Sequence, residues 1–142
     1  MTAIRPAFKL THAGALAVLQ AAADVADAMG VAQCIAVVDE GCNLLAFLRM
    51  DGARVLSIDS ATRKAMTAAA TGQASERLPQ DKAGALAAAT DGRMTNLKGG
   101  LPLLFEGQVV GGVGVGSGTG EQDLVIAQAA VAAFDALTWR EP

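Results

Sequence analysis

The sequence predicts an α+β domain, an antiparallel sheet with helices packed on it, and three observations carry that prediction. Apolar residues recur at helical spacing near both ends of the chain, from Thr11 to Met29 and from Leu124 to Leu137. Between them lie two pairs of β-type runs, each pair joined by a short glycine-containing turn, as antiparallel hairpins are. No internal repeat or low-complexity linker interrupts the 142 residues, so residues 1–142 are expected to form one domain around one core.

In chain order, Leu16, Leu19, Ala23, Ala26 and Met29 define the first helix, with Thr11 placed to cap it and Gly30 to stop it. The runs Cys34–Asp39 and Leu44–Met50 read as strands joined by a turn over residues 40–43. Both are apolar nearly throughout, which calls for cover on both faces by helices or by a neighbouring subunit. After Asp51-Gly52, Ser57 or Asp59 can cap a helix through Ala61, Lys64, Ala65, Ala68 and Ala69 to Gly72. Pro79 sits at the entrance of a more polar helix between Gln80 and Ala89, and residues 91–100 read as loop. Leu101–Phe105 and Val109–Val115 form the second hairpin, with Pro102 placing its first strand near an edge or a strand start. The closing helix follows the loop of residues 116–120.

Composition narrows function. The 31 alanines and 16 glycines fill about a third of the chain, and the only aromatic residues are four Phe and Trp139, so the core must rest on small side chains and close backbone approach. Eleven basic against fourteen acidic residues, with few aromatics, provide neither the phosphate-binding stripe nor the stacking platform of a nucleic-acid binder. Two Cys and one His cannot close a Cys/His zinc site, and no metal site is expected. With no long apolar run and no signal-peptide core, the chain is expected to be cytoplasmic and independent of membranes, Cys34 and Cys42 being reduced thiols.

Several segments have both a chemical and a structural reading. The glycines from Gly111 to Gly120 match neither G-x-G-x-x-G nor a P-loop; those in the strand suit close helix-on-sheet packing, while the loop before the last helix could equally present N–H groups to an anion. Lys98-Gly99-Gly100-Leu101-Pro102 reads as an anion nest or as a tight turn with a solvated lysine. Arg49 and Asp51 end an apolar strand, and Arg63 and Lys64 lie on the helix that follows. Together they suit holding an anion and moving a proton; otherwise they form surface ion pairs, Arg49–Asp51 or Asp59–Arg63. His12 reads as an exposed or capping residue, Cys34 as a strand residue, Cys42 as a turn residue, and Met50, Met66 and Met94 as packing.

Three blocks together resemble the GlcG/HbpS family, the haem-degrading domain family. They are Ile35-Ala36-Val37-Val38-Asp39 with Arg49-Met50-Asp51-Gly52-Ala53; Ser57-Ile58 with Ala61, Lys64-Ala65 and Thr67-Ala68; and Gly99-Gly100-Leu101-Pro102-Leu103, Gly107, Gly111-Gly112-Val113-Gly114-Val115 and Gln122-Asp123. Two departures stand out: Cys42 replaces a usual Gly, and Gly116-Ser117-Gly118 replaces a usual Val-Ser-Gly. The resemblance implies a profilin-like or PAS-like fold with about five strands and a homo-oligomer. The family includes C-terminal domains of corrinoid adenosyltransferases, haem binders, and a 4-hydroxylaminobenzoate lyase.

Three functions follow as expectations. The first is a cofactor-free small-molecule enzyme for a compact anionic ligand, such as an aromatic carboxylate, with hydroxylaminobenzoate-type lyase chemistry as its sharpest form. There Arg49, Gly99, Gly100, Leu101 and Pro102 bind the substrate, while Lys64, Asp51 and Asp123 are the catalytic candidates. The second is a haem or tetrapyrrole binder for sequestration or sensing. Because the single histidine lies outside the matched blocks, iron ligation there falls to Thr, Met or Cys. The third is a non-catalytic accessory subunit.

Overall fold

A computed structural model describes residues 1–138; Trp139, counted above among the aromatics, lies outside them. Helix α1 (His12–Met29) begins at Thr11, whose side chain accepts the Gly14 N–H, and ends at Gly30 in the left-handed conformation, as the sequence indicates. Strands β1 (Cys34–Asp39) and β2 (Leu44–Arg49) form the first hairpin, and β3 (Gly100–Phe105) and β4 (Gln108–Gly116) the second. Helices α2 (Ser57–Thr71) and α3 (Gln80–Ala89), with a single 3-10 turn at Ser75–Arg77 between them, separate the hairpins, and α4 (Gly120–Thr138) follows. Among the described residues no helix is long and apolar enough to cross a membrane.

All strand pairs are antiparallel, in the order β2-β1-β4-β3. Both hairpins therefore end with one strand in the centre and one at an edge, and Pro102 lies on the edge strand β3, opposite Gly112. The resemblance implied about five strands; four are present among the described residues. Segment 91–99, between α3 and the sheet, is not a strand, although Gly99 at its end accepts the Val115 N–H of β4 at 3.0 Å. Gly92 and Arg93 send their N–H groups back to carbonyls at the end of α3, while Met94 N–H goes to Thr90 Oγ1 (3.1 Å) and Thr95 N–H to Thr67 Oγ1 (3.0 Å).

Side-chain alternation divides the core in two. Ile35, Val37, Leu103, Val113 and Val115 face α1 and α4, where they meet Val18, Ile126 and Phe134. Cys34, Ala36 and Val38 face α2, whose Ala61, Ala65 and Ala69 cover them. On this second face β4 presents glycine. A Cβ on Gly112 would lie 2.5 Å from the Ala65 carbonyl oxygen and one on Gly114 only 1.9 Å from that of Ala61, so helix backbone rests on strand backbone. The strand glycines thus serve packing.

One boundary differs in kind from expectation. Ser57 and Asp59 are not caps: Leu56 holds that position without a side-chain hydrogen bond. The preceding turns already engage the first N–H groups, Ser57 N–H to Arg54 O and Ile58 N–H to Val55 O. The Ser57 hydroxyl is thereby released from capping.

Candidate functional site

The sequence signal that opens α4 is the pattern Thr119-x-x-Gln122. Gln122 N–H donates to Thr119 Oγ1 (3.2 Å) and Thr119 N–H to Gln122 Oε1 (3.0 Å), a reciprocal cap that fixes the helix start. The next residue, Asp123, turns inward and is 2 % exposed. Lys64, on the opposite layer and 5 % exposed, donates to Asp123 Oδ2 at 2.9 Å and to the Val115 carbonyl at 2.7 Å. This buried pair joins α2 on one face to α4 on the other. Gly99 makes room for it: at φ +123, a Cβ there would lie 2.8 Å from Val115 O, 2.9 Å from Asp123 Cβ and 3.2 Å from Lys64 Nζ.

Two of the three catalytic candidates, Lys64 and Asp123, are therefore in contact. They border a pocket of about 260 Å³ that also takes in Arg54, Ser57, Ser60 and the 116–120 loop. Its rim carries Lys98, which bonds Glu121 (2.5 Å) and lies 3.4 Å from Glu76, so its charge is answered by two carboxylates. Those hydrogen bonds, Glu121's above all, hold the Lys98 pKa above its usual value. Arg54 has no acidic partner among the described residues, and its backbone N–H is fixed by Ser117 Oγ at 2.9 Å.

The other candidates lie elsewhere. Arg49 is exposed at the end of edge strand β2, two strands from β4, and Asp51 is exposed just beyond it; neither lines the pocket. Nor do they pair, and Asp59–Arg63 does not either: among the described residues the ion pairs are Lys9–Glu40, Lys64–Asp123, Lys98–Glu76 and Lys98–Glu121. Gly100 sends its N–H to Ser75 Oγ (2.9 Å), which itself donates to Leu97 O (2.6 Å), so that N–H is committed internally. Leu101 packs against the α1/α4 core, and Pro102 belongs to the β3–β4 ladder.

The loop of residues 116–120, a possible anion site from sequence, does border the pocket, but sequence reasoning missed Arg54, Ser57 and Ser60 beside it, and also Gln33. Gln33 is fully buried just before β1, and its Oε1 accepts the Gly118 N–H at 3.0 Å, a hydrogen also offered to Asp123 Oδ1 at 3.0 Å. Its Nε2 has no partner. A single Gln at the start of an apolar strand, before Cys34-Ile35-Ala36-Val37-Val38, was the available signal.

The two thiols are quiet. Burial pushes the Cys34 pKa up, against a smaller opposing effect of Arg49, and burial likewise raises Cys42. Cys42 holds φ +65 in the β1–β2 turn, which accounts for the family's usual Gly at this position. His12 is exposed in the first turn of α1. No group of three or more His, Cys, Asp or Glu residues suited to a metal occurs among the described residues. A second pocket, about 340 Å³, opens at the far end of β3 and β4 between Phe8, Leu10, Phe105 and Phe134, away from every candidate.

An uncharacterised 15.0 kDa protein from the dhaT-dhaS intergenic region of Citrobacter freundii is 35% identical over 133 residues, covering 90% of this chain and 94% of its own. The crystal structure of Klebsiella pneumoniae protein ORFY superposes with a TM-score of 0.87 at 34% identity, over 96% of this chain and 97% of that one. That of a PduOC–haem complex gives 0.81 at 29% identity, over 89% and 95%. The model of the family described as haem degrading protein HbpS-like matches residues 10–132, and with it the chain belongs to the HbpS-like family.

Proposed function

We propose that the pocket at the Lys64–Asp123 pair binds a compact carboxylate-bearing molecule and carries out proton-transfer chemistry on it. The observation behind this is the pairing of a buried ammonium and carboxylate with a pocket whose uncommitted cation is Arg54. A guanidinium forks onto a carboxylate, so in this reading Arg54 takes the anchoring role assigned from sequence to Arg49. Ser57 and Ser60 supply neutral hydroxyls, and Lys64 and Asp123 hold and return a proton. Arg49 and Asp51, exposed at the same end of the sheet, are left for a partner surface. With Val55 and Leu56, 60% and 78% exposed, they form the patch on which a second copy would sit; sedimentation of the wild type against Leu56→Asp tests this.

The sharpest form of the reading is a hydroxylaminobenzoate-type lyase. Protonation of the N–OH oxygen by Lys64 releases water, a second water adds to the ring, and hydrolysis of the imine frees ammonia. One water is consumed overall and no electron acceptor is needed. The test is titration of benzoate and 4-hydroxylaminobenzoate, with ammonia release as the readout. Arg54→Ala should weaken binding at least tenfold, the loss of roughly one charge-assisted hydrogen bond, with an unchanged circular dichroism spectrum. Unaltered binding by Arg54→Ala would refute the anchoring role, and ligand binding without turnover would reduce the protein to a binder or accessory subunit.

A second reading, haem or tetrapyrrole binding, rests on the likeness to PduOC in its haem complex. The residues here fit haem poorly. Of the ligand types expected from sequence, neither pocket offers Cys or Met; threonine lines only the pocket at Phe105, as Thr11 and Thr138, whose hydroxyls bond within their own helices, and Leu97 is the one large apolar side chain in the pocket at Lys64. A saturable Soret band that survives gel filtration at one haemin per chain would establish this reading instead.

A further inference from the structure

We propose that Gln33 and Asp123 together recognise a hydroxyl group on the ligand, which makes the ligand class a hydroxylated or N-hydroxylated carboxylate; this rests on the reading of the pocket just given. Gln33 is 0 % exposed, and its side-chain amide donates to nothing. Buried amide nitrogens are seldom left so, because each unmade hydrogen bond keeps the full cost of removing the group from water. The amide orientation is fixed by its other end: Oε1 accepts the Gly118 N–H, and the reversed amide would set donor against donor.

Donors and acceptors are mismatched at this point. The one Gly118 N–H serves both Gln33 Oε1 and Asp123 Oδ1, while the two hydrogens of Gln33 Nε2 find no acceptor. Nε2 and Oδ1 lie on the same side of Gly118: a Cβ there would fall 2.6 Å from the first and 2.8 Å from the second. A group that both accepts from an amide and donates to a carboxylate completes the set, and a hydroxyl is the simplest such group. A bare carboxylate or halide could accept from Nε2 but would be repelled by Asp123.

Access runs through Ser117 and Gly118, which line the pocket while Gln33 lies directly behind them. Asp123 lines the pocket as well, and Nε2 lies on the same side of Gly118 as its Oδ1. The ligand then spans from Arg54 at its carboxylate to Gln33 and Asp123 at its hydroxyl.

The experiment compares matched pairs by isothermal titration, lactate with propionate and 4-hydroxylaminobenzoate with 4-aminobenzoate. Wild-type protein should favour the hydroxylated member of at least one pair by about tenfold, and Gln33→Leu should bind both members alike. In case Gln33→Leu folds poorly, the side-chain amide signals of Gln33 in the ¹⁵N spectrum of the wild type provide a second readout. They should move with the hydroxylated member only. If the carboxylates bind, and lose affinity with Arg54→Ala, yet the hydroxyl makes no difference in either pair, the role of Gln33 is overturned and the pocket reading stands. If none of the four binds, both fall.

Discussion

The two faces of the sheet are packed by different means. Towards α1 and α4, branched side chains such as Ile35, Leu103, Val113 and Val115 interdigitate with Val18, Ile126 and Phe134. Towards α2 the filling is alanine against glycine, and the Ala61 and Ala65 carbonyls stand where Cβ atoms of Gly114 and Gly112 would be. The first arrangement obtains stability from side-chain volume and tolerates small adjustments; the second obtains close approach and tolerates almost none. Close approach is what the site requires. Only a helix lying on the strand backbone lets Lys64 reach Val115 O and, past Gly99, a carboxylate belonging to the other layer.

Substitution at Gly114 separates the two faces most sharply. In Gly114→Ala the new methyl meets backbone atoms, 1.9 Å from Ala61 O and 2.5 Å from Ala65 N, and nothing flexible can yield. We expect no folded soluble protein. Leu103→Ala, in the other core, leaves a cavity and should cost about 2–5 kcal/mol while retaining a cooperative thermal transition. A Gly114→Ala protein with a melting temperature above that of Leu103→Ala would contradict the backbone-contact account.

The tie between the faces comes next. Lys64→Met leaves Asp123 buried without its cation and should destabilise by about 3–5 kcal/mol, whereas Lys64→Met with Asp123→Leu should recover most of that loss in denaturant titrations. A double variant no more stable than the single would show that the pair does more for stability than offset its own burial. Because the single variant is so destabilised, loss of turnover in Lys64→Ala is weak evidence for catalysis, and Arg54 is the better probe.

What the sequence made legible follows the same division. Helix ends at Thr11, Gly30 and Gly72, the edge position of Pro102 and the packing role of Gly112 and Gly114 were all readable, because each rests on one residue's own backbone preference or its neighbours in the chain. Lys64 and Asp123 could be nominated as candidates, but not joined, since 59 residues separate them and their meeting depends on Gly99 and on how tightly α2 seats. Arg49 drew attention over Arg54 because a charge ending an apolar strand is conspicuous. Arg54 sits in the loop before α2, and its place at the pocket comes from Ser117 holding that loop's backbone. Gln33 carried a visible signal, a polar residue leading into an apolar strand, whose meaning required knowing that Gly118 lies opposite.

At the β1–β2 turn, outside both packed faces, the expected effects are smaller and depend on pH. Asp39 Oδ1 accepts N–H groups of Gly41 (2.8 Å) and Asn43 (2.9 Å). Partial burial raises its pKa, but these bonds and the Asn43 side chain outweigh that and leave it below the usual carboxylate value. A depressed carboxylate contributes its stability above the ordinary pKa near 4 and loses it as pH falls through the lower folded value. Asp39→Ala should therefore cost about 1 kcal/mol at pH 7 and flatten the fall in stability below about pH 4. An identical acid limb in wild type and variant would remove Asp39 from the account.

The smallest effect tests the contrast from its opposite side. If glycine matters in β4 because backbone fills the space beside it, a glycine beside open space should be dispensable. Gly84 lies exposed within α3, a helix without a buried residue, and a Cβ there meets nothing within 4 Å. Its φ is not in the left-handed region, so alanine can adopt the same backbone. Gly84→Ala should then raise stability by about 0.5–1 kcal/mol, through the lower entropy of the unfolded chain and better helix propensity, with ligand binding unchanged. A loss of stability would mean that α3 is covered in solution, and the exposed glycine would then have the same meaning as the buried ones: a surface that another backbone approaches.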